Sequence, residues 1–292
     1  MSNKESIWKT AYDASKDSTV IQTSEVEPGV FVVQMNAPES HNILTPQMMG
    51  AVAREVDRLS AMKVDEITAI ILMSSGKSFC AGIDINAIRD DPTFEEYITR
   101  SVDPFYAVQE SPVPTIACVQ GAAMTGGFEL ALSCDIVIAS RDAVFRDNHA
   151  MYGVHQIRGL SQILPRVCGP SNAKLASLAS MPVTASKALA WNIVSEVVDT
   201  PEDLFPMAMR ITKGFAYNNG PILRALKKTM NEAYELSYGE ARKLELTSDV
   251  DYYASLGDDK PRILTEGAKR FNKRVEELGT TAGMRGGMVE ED

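Results

Sequence analysis

Residues Thr115 to Ser140 read TIACVQGAAMTGGFELALSCDIVIAS, and the order of patterns within them decides the fold. A β-rich apolar run, Thr115–Gly121, enters a turn of small residues. The apolar stretch Gly127–Ser133 (GFELALS) then has helical spacing, and Ile136–Ser140 is again rich in β-branched residues. A strand, a helix and a strand in so short a span require a crossover connection, hence a parallel sheet with helices laid over it.

The same alternation continues outward. Ala69–Ser75 (AIILMSS) reads as a strand, and the chain from about Phe94 to Gln109 as a helix. Thr45-Pro46 offers an N-cap followed by proline at the first helical position, and Met49, Val52, Val56 and Leu59 recur at helical intervals. Earlier still, Thr19–Thr23 and Val30–Met35 flank Glu27-Pro28-Gly29, the pattern of a hairpin. From Ser161 onward the pattern is almost wholly helical, with Leu189, Ile193 and Val194 leading into Val197-Val198. The expected class is α/β, with a core over residues 1–200, a helical region over 201–279 and a frayed Gly-rich tail over 280–292 (TTAGMRGGMVEED). There is no internal repeat and no low-complexity linker.

Composition narrows the functions. With 45% apolar and 23% charged residues in 292, the chain can bury a large core. Lys and Arg total 29 against 39 Asp and Glu, and the net charge of -10 opposes a nucleic-acid backbone. A small anionic ligand remains compatible, because a few backbone amides and cations can hold phosphates locally. Cys80, Cys118, Cys134 and Cys168 form no CxxC pair and sit in or beside apolar stretches, as reduced cysteines do. The opening MSNKESIWKT lacks a signal or transit pattern, no run is long enough to span a membrane, and MVEED is not an SKL-type address. The expected location is therefore the cytoplasm, with peroxisome or mitochondrial matrix as alternatives, and no membrane or nucleic-acid partner is expected.

Two turns carry the chemistry. Ser78-Phe79-Cys80-Ala81-Gly82-Ile83-Asp84-Ile85 follows one strand, and Gly121-Ala122-Ala123-Met124-Thr125-Gly126-Gly127-Phe128-Glu129 follows another. Small residues let backbone N–H groups face a ligand, so two such turns can place two donors around one carbonyl oxygen. Either turn alone is also what a plain strand-to-helix connection needs. Glu129 sits one turn inside an apolar helix, where desolvation raises a carboxyl pKa and suits it to proton transfer. A structural Glu paired with Arg, or one on the exposed side, is the alternative.

Both turns, followed by Cys134-Asp135-Ile136, Gly153, Gly159 and Leu189-Ala190-Trp191-Asn192-Ile193-Val194, resemble in order the signature of the crotonase (enoyl-CoA hydratase/isomerase) superfamily. The resemblance runs from about Val30 to Val198, and more loosely to about Leu278. It implies the ClpP-like spiral of β-β-α units with a C-terminal helical region. It also implies an acyl-CoA thioester substrate with no cofactor beyond that CoA, no metal, and assembly as a homotrimer or a dimer of trimers. The oxyanion hole would be the backbone N–H groups of Ile83 and Gly126, and Glu129 would be one of the acid/base pair. Where a hydratase of this family has its second glutamate, this chain has His149, with Asp147 two residues before it, and His155-Gln156-Ile157-Arg158-Gly159-Leu160-Ser161 replaces the usual Pro-Gly-rich stretch. His149 can stand in for that carboxylate, with Asp147 orienting it or acting itself; a loop His bonded to a carbonyl is the alternative. His41 and His155 have no such positional support.

Substrate and CoA contacts are implied at Ala37, Ser40, Ala81, Asp84, Phe271 and Arg274, although the loop Met35–Asn42 lacks the Arg or Lys often found there. Ile88, Phe94 and Tyr97 are candidates for the acyl pocket. The Δ3-Δ2 isomerase branch keeps its carboxylate at the second site, so the pattern Asp-x-His with Gly-Leu-Ser-Gln looks more like a hydratase branch. The expected activity is addition of water to a trans-2-enoyl-CoA. The alternatives are enoyl- or dienoyl-CoA isomerisation, C–C or C–X cleavage, and a CoA-binding or assembly protein without turnover.

Overall fold

In the computed structural model, which describes residues 19–90 and 103–277, the first elements are an antiparallel pair, β1 (Ile21–Glu27) and β2 (Val30–Met35). β1 starts at Ile21 rather than Thr19 and runs on to Glu27, with a register shift between Glu25 and Glu27. Its mixture of half-buried and exposed residues is that of an edge strand with one wet face.

Beyond β2 every pairing in the main sheet is parallel. β3 (Ala69–Ser74), β4 (Thr115–Val119), β6 (Ile136–Ser140) and β9 (Glu196–Val198) complete the order β1-β2-β3-β4-β6-β9. β2, β3 and β4 are buried almost end to end, which is why VFVVQM, AIILMS and TIACV are apolar runs without alternation. A second, three-stranded sheet joins β5 (Ala122–Met124), β7 (Val144–Arg146) and β8 (Val183–Thr184).

The strands β5, β7, β8 and β9 correct the sequence reading. β8 and β9 interrupt what was expected to be an almost wholly helical stretch after Ser161. Strands of two or three residues show no period of their own; they exist because β7 and β6 offer them partners.

α1 (Pro46–Ser60) shows how sequence becomes packing. Thr45 Oγ accepts the Met48 N–H at 3.1 Å, which stabilises the helix by about 1 kcal/mol. Pro46 occupies the first turn, and Met48, Met49, Val52, Val56 and Leu59 are buried, each contributing on the order of 2 kcal/mol. α1 packs on β1, β2 and α3 (Pro104–Glu110). A short helix that the sequence pattern did not suggest, α2 (Ile85–Asp90), follows the first small-residue turn; Asp84 Oδ1 accepts the Asn86 N–H at its start. Of the helix expected over 94–109, α3 is seen. Phe94, Tyr97 and the side chain of Ile88 lie outside the described residues, as does the tail 280–292.

α4 (Gly126–Ser133) is buried along its whole length, packed among β4, β5, β6, α3 and α6 (Leu160–Cys168). Between β7 and α6 lies the four-residue helix α5 (His149–Tyr152). α7 (Pro170–Leu178) and α8 (Ala185–Ala190) follow.

The chain divides between Arg210 and Ile211 into two compact units, and the division falls inside α9 (Leu204–Ala216). Leu204 and Ala208, in the first half of α9, are buried. The second unit is helical, with α10 (Gly220–Ala233) packed on α11 (Tyr238–Leu256), then α12 (Lys260–Glu277). Among the described residues, no helix is long and apolar enough to cross a membrane.

Candidate active site

The two small-residue turns meet. Cys80 pairs with Ala123 as an isolated parallel bridge, Cys80 N–H donates to Ala122 O at 3.0 Å, and Met124 N–H returns to Cys80 O at 2.9 Å. A Cβ on Gly82, whose φ is +101°, would lie 2.9 Å from Met124 O and 3.4 Å from Gly126 N. A Cβ on Gly126 would lie 3.1 Å from Ile83 N and 2.8 Å from Ile83 Cγ1. Real side chains do not fit at such distances, so the two backbones approach this closely only because both positions are glycine. Among the described residues, neither the Ile83 N–H nor the Gly126 N–H donates a hydrogen bond. The expected pair of donors is therefore side by side and uncommitted.

Thr125 precedes them at φ +51°, ψ −108°, a region β-branched residues rarely enter. Its N–H donates to Arg146 O at 2.8 Å, tying the turn to β7. From there α4 begins, and Glu129 N–H bonds back to Thr125 O at 3.0 Å, placing the carboxylate one turn in.

Glu129 is 1% exposed. Oε1 accepts the Arg158 N–H at 3.1 Å, and Oε2 has no hydrogen-bond partner among the described residues. Burial pushes its pKa up to about 6, against the pull of His149, the Arg158 and Leu160 N–H groups and the Arg158 charge. Leu160 opens α6, so the carboxylate sits at a helix N-terminus.

The fold brings His149 to Glu129. His149 Nε2 stands 3.6 Å from Glu129 Oε2. Its other nitrogen, Nδ1, is 2.7 Å from Asp147 Oδ1, which also accepts the His149 backbone N–H at 3.0 Å. Asp147 is fully buried, and Gln156 Nε2 donates to its Oδ2. Burial alone would raise the Asp147 pKa. Hydrogen bonds from the His149 ring, the Ser177 hydroxyl and the His149 N–H outweigh it and hold Asp147 below the usual carboxylate range. With Asp147 ionised, His149 Nδ1–H donates to Asp147 Oδ1, and Nε2 is the ring nitrogen that faces Glu129 Oε2. The imidazole is therefore bonded to a carboxylate, not to a carbonyl.

The other histidines stay apart: His41 Nδ1 meets Ser78 Oγ at 3.1 Å, and His155, exposed, meets Gln156 O at 2.8 Å. Ala37 and Ser40 lie in the loop before α1, where Ser40 Oγ donates to Ala37 O at 3.1 Å and Ala37 N–H donates to Asn42 Oδ1 at 2.9 Å. Asn42, to which sequence reasoning gave no role, is fully buried and donates through Nδ2 to Ser75 O and Ser78 O. It fastens the loop of Ala37 and Ser40 to the turn of Ala81 and Asp84, and Ala81 N–H to His41 O (3.0 Å) and Leu44 N–H to Gly82 O (2.7 Å) complete the seam. Phe271 and Arg274 lie in the second unit, on α12, where Phe271 is exposed and the Arg274 guanidinium stacks 4.3 Å from the Tyr217 ring centroid. A further residue to which the sequence reading gave no role is Arg158, a buried cation beside Glu129 with Nε 3.4 Å from Asp103 Oδ2. Its signal was a lone cation in the stretch Ile157-Arg158-Gly159-Leu160.

The model of the enoyl-CoA hydratase/isomerase family matches residues 25–276 of this chain. The chain belongs to that family. It is 34% identical over 256 residues to the probable enoyl-CoA hydratase 1, peroxisomal, of Arabidopsis thaliana, an alignment covering 87% of this chain and 94% of the relative. It is 32% identical over 216 residues to the 1,2-epoxyphenylacetyl-CoA isomerase of Escherichia coli K12, covering 72% and 81%. Among solved structures, "enoyl-CoA hydrates subunit I" from Geobacillus kaustophilus HTA426 superposes with a TM-score of 0.77 at 28% identity, over 88% of this chain and 96% of that one. The crotonase fold expected from the motifs is the fold of the chain, and the family spans both units.

Proposed function

We propose that this chain is an enoyl-CoA hydratase that adds water across the double bond of a trans-2-enoyl-CoA through the pair Glu129 and His149. The observation that carries the reading is the line Asp147–His149–Glu129, because it supplies a second acid/base group where the family's second carboxylate is missing. With the thioester oxygen between the N–H groups of Ile83 and Gly126, negative charge growing on it meets two donors already in position. The Glu129–His149 pair holds one proton between its members. The member without it takes a proton from water as the water oxygen bonds to C3; the member with it delivers that proton to C2. Addition leaves the pair with one proton again, so the site is restored. Asp147 stabilises the imidazolium whenever His149 is the carrier.

Ala37, Ser40, Ala81 and Asp84 are assigned to the CoA moiety, and the firm seam through Asn42 supports a single docking surface for it. Phe271 and Arg274 are assigned to CoA contacts as well. CoA enters as part of the substrate, with no separate cofactor. Assembly as a homotrimer or dimer of trimers and a reducing, cytosolic setting complete the reading; four buried free cysteines support the latter.

The test is the loss of conjugated-enone absorbance from crotonyl-CoA and from a longer 2-enoyl-CoA, with wild type, Glu129→Gln and His149→Ala. Hydration by the wild type and its loss in both variants is expected. An inert wild type overturns the reading. One observation favours a second chemistry: the similarity to an acyl-CoA isomerase. Isomerisation of 1,2-epoxyphenylacetyl-CoA or of a 3-enoyl thioester faster than hydration of 2-enoyl thioesters would select it.

A further inference from the structure

Arg158 takes no part through its side chain in the hydration step above, yet it is the buried cation beside Glu129. Its side chain is only 9% exposed, and neither Nε nor Nη2 donates a hydrogen bond among the described residues. Nη1 reaches Ile157 O at 3.5 Å, and the Phe105 ring centroid lies 5.8 Å from Cζ. A cation withdrawn from water costs several kcal/mol unless charge or hydrogen bonds compensate. Here the hydrogen bonds are largely missing, so charge holds it: Asp103 Oδ2 at 3.4 Å on one side and, on the other, Glu129, whose Oε1 is fixed by the N–H of the same arginine.

Asp103 is committed elsewhere too. Its Oδ1 caps α3 by accepting the N–H groups of Phe105 (3.0 Å) and Tyr106 (3.2 Å), leaving Oδ2 for the guanidinium. The arrangement is a row of alternating charge, Asp103, Arg158, Glu129, closed at its other end by His149 and Asp147.

We propose that Arg158 and Asp103 are an opposed pair of positioning residues that set how tightly Glu129 holds its proton, the guanidinium favouring the carboxylate form and Asp103 restraining the guanidinium. The proposal rests on Glu129 being the proton-transfer group. The other charges around Glu129 are few. α5 brings His149, with Asp147 behind it, and α6 brings the Leu160 N–H and, at its far end, the exposed Arg166. α3 brings Asp103 and the exposed Glu110, and β4, β5 and β6 bring no Asp, Glu, Lys, Arg or His. Burial has already raised the Glu129 pKa, and the Arg158 charge works against that rise. Removing the cation takes away one of the pulls that oppose burial and moves the titration of Glu129 up. Removing the Asp103 charge frees the cation to act on Glu129 alone and moves it down.

The experiment is a titration of the Glu129 carboxyl by NMR in protein labelled with 13C at glutamate Cδ, the signal assigned by its absence from Glu129→Gln. It is run on wild type, Arg158→Met, Arg158→Lys and Asp103→Asn, with the pH profile of kcat/KM on crotonyl-CoA beside it. The asparagine in Asp103→Asn keeps a side-chain oxygen to cap α3. The midpoint is expected to rise by about one unit, a tenfold change in proton affinity, in Arg158→Met and to fall in Asp103→Asn, while Arg158→Lys stays closer to wild type than either. Where turnover is seen, the acid limb of kcat/KM moves with the midpoint. Midpoints unmoved in both neutral variants, or moved in the same direction, overturn the proposal, since a merely structural pair would lower rates without shifting them apart. Should Arg158→Met fail to fold, the downward shift in Asp103→Asn decides alone. Opposed shifts without hydration of any thioester would uphold this pair and refute the hydratase reading; hydration with unmoved midpoints would do the reverse.

Discussion

Glu129 and Asp147 are both buried carboxylates, one on each side of the His149 ring, and their surroundings push them in opposite directions. Glu129 has one oxygen without a partner and an apolar helix around it, and its pKa climbs to about 6. Asp147 is wrapped in donors and stays below the ordinary range. Two carboxylates with almost no solvent exposure thus become a group that exchanges protons near neutrality and an anion that steers its neighbour, the better-bonded one being the anion.

The hardest test of that contrast is Glu129→Gln, which removes the exchanging carboxylate: kcat on a 2-enoyl thioester is expected to fall by about a thousandfold. A fall under tenfold would mean that the raised proton affinity has no part in turnover. His149→Ala removes the shared partner and should cost about a hundredfold in the same assay, with partial recovery on adding imidazole. Asp147→Asn keeps the shape but not the charge, and a loss of about tenfold to a hundredfold in kcat, with KM little changed, is expected for a group that acts only through His149. A loss as large as that of Glu129→Gln would make the two carboxylates equals.

Stability sharpens the comparison further. The folded-state pKa of Glu129 is raised, so its contribution is fully present below the unfolded value near 4.5 and is lost as pH rises through about 6. Glu129→Gln should therefore unfold at higher temperature than wild type above pH 6, by the equivalent of about 2 kcal/mol. For Asp147 the sign reverses: its lowered pKa stabilises the fold above the unfolded value of 3.8 and fades as pH falls through the folded one. Asp147→Asn should melt below wild type at neutral pH, with the gap closing in acid. Thermal melts of both variants from about pH 3.5 to about pH 8 should diverge on opposite sides of wild type.

How much of this the sequence held depends on distance along the chain. β2, β3 and β4 were legible because each carries its own apolar run, and α1 because it carries its own helical period and cap. β5, β7, β8 and β9 were not, since strands that short borrow their conformation from a partner. Glu129 and the Gly126 donor were readable together because one strand-turn-helix unit contains both, and Asp147 with His149 because they are two residues apart. The 3.6 Å approach of His149 to Glu129 was suggested only by resemblance, as it depends on α5 and α4 meeting in space. Arg158 stayed hidden because its meaning lies in Asp103, across the fold.

The seam between the site's loops has a consequence for how the protein matures. The bridges Leu44–Ile83 and Cys80–Ala123 join three stretches separated by long spans of chain, and most strands of the main sheet pair in parallel across similar spans. Each closure must meet its loop entropy before any contact offsets it, so helices such as α1 can form early while the donor pair at Ile83 and Gly126 cannot. On refolding, helical signal should return before thioester binding does, and the interval between them measures how late the site is assembled.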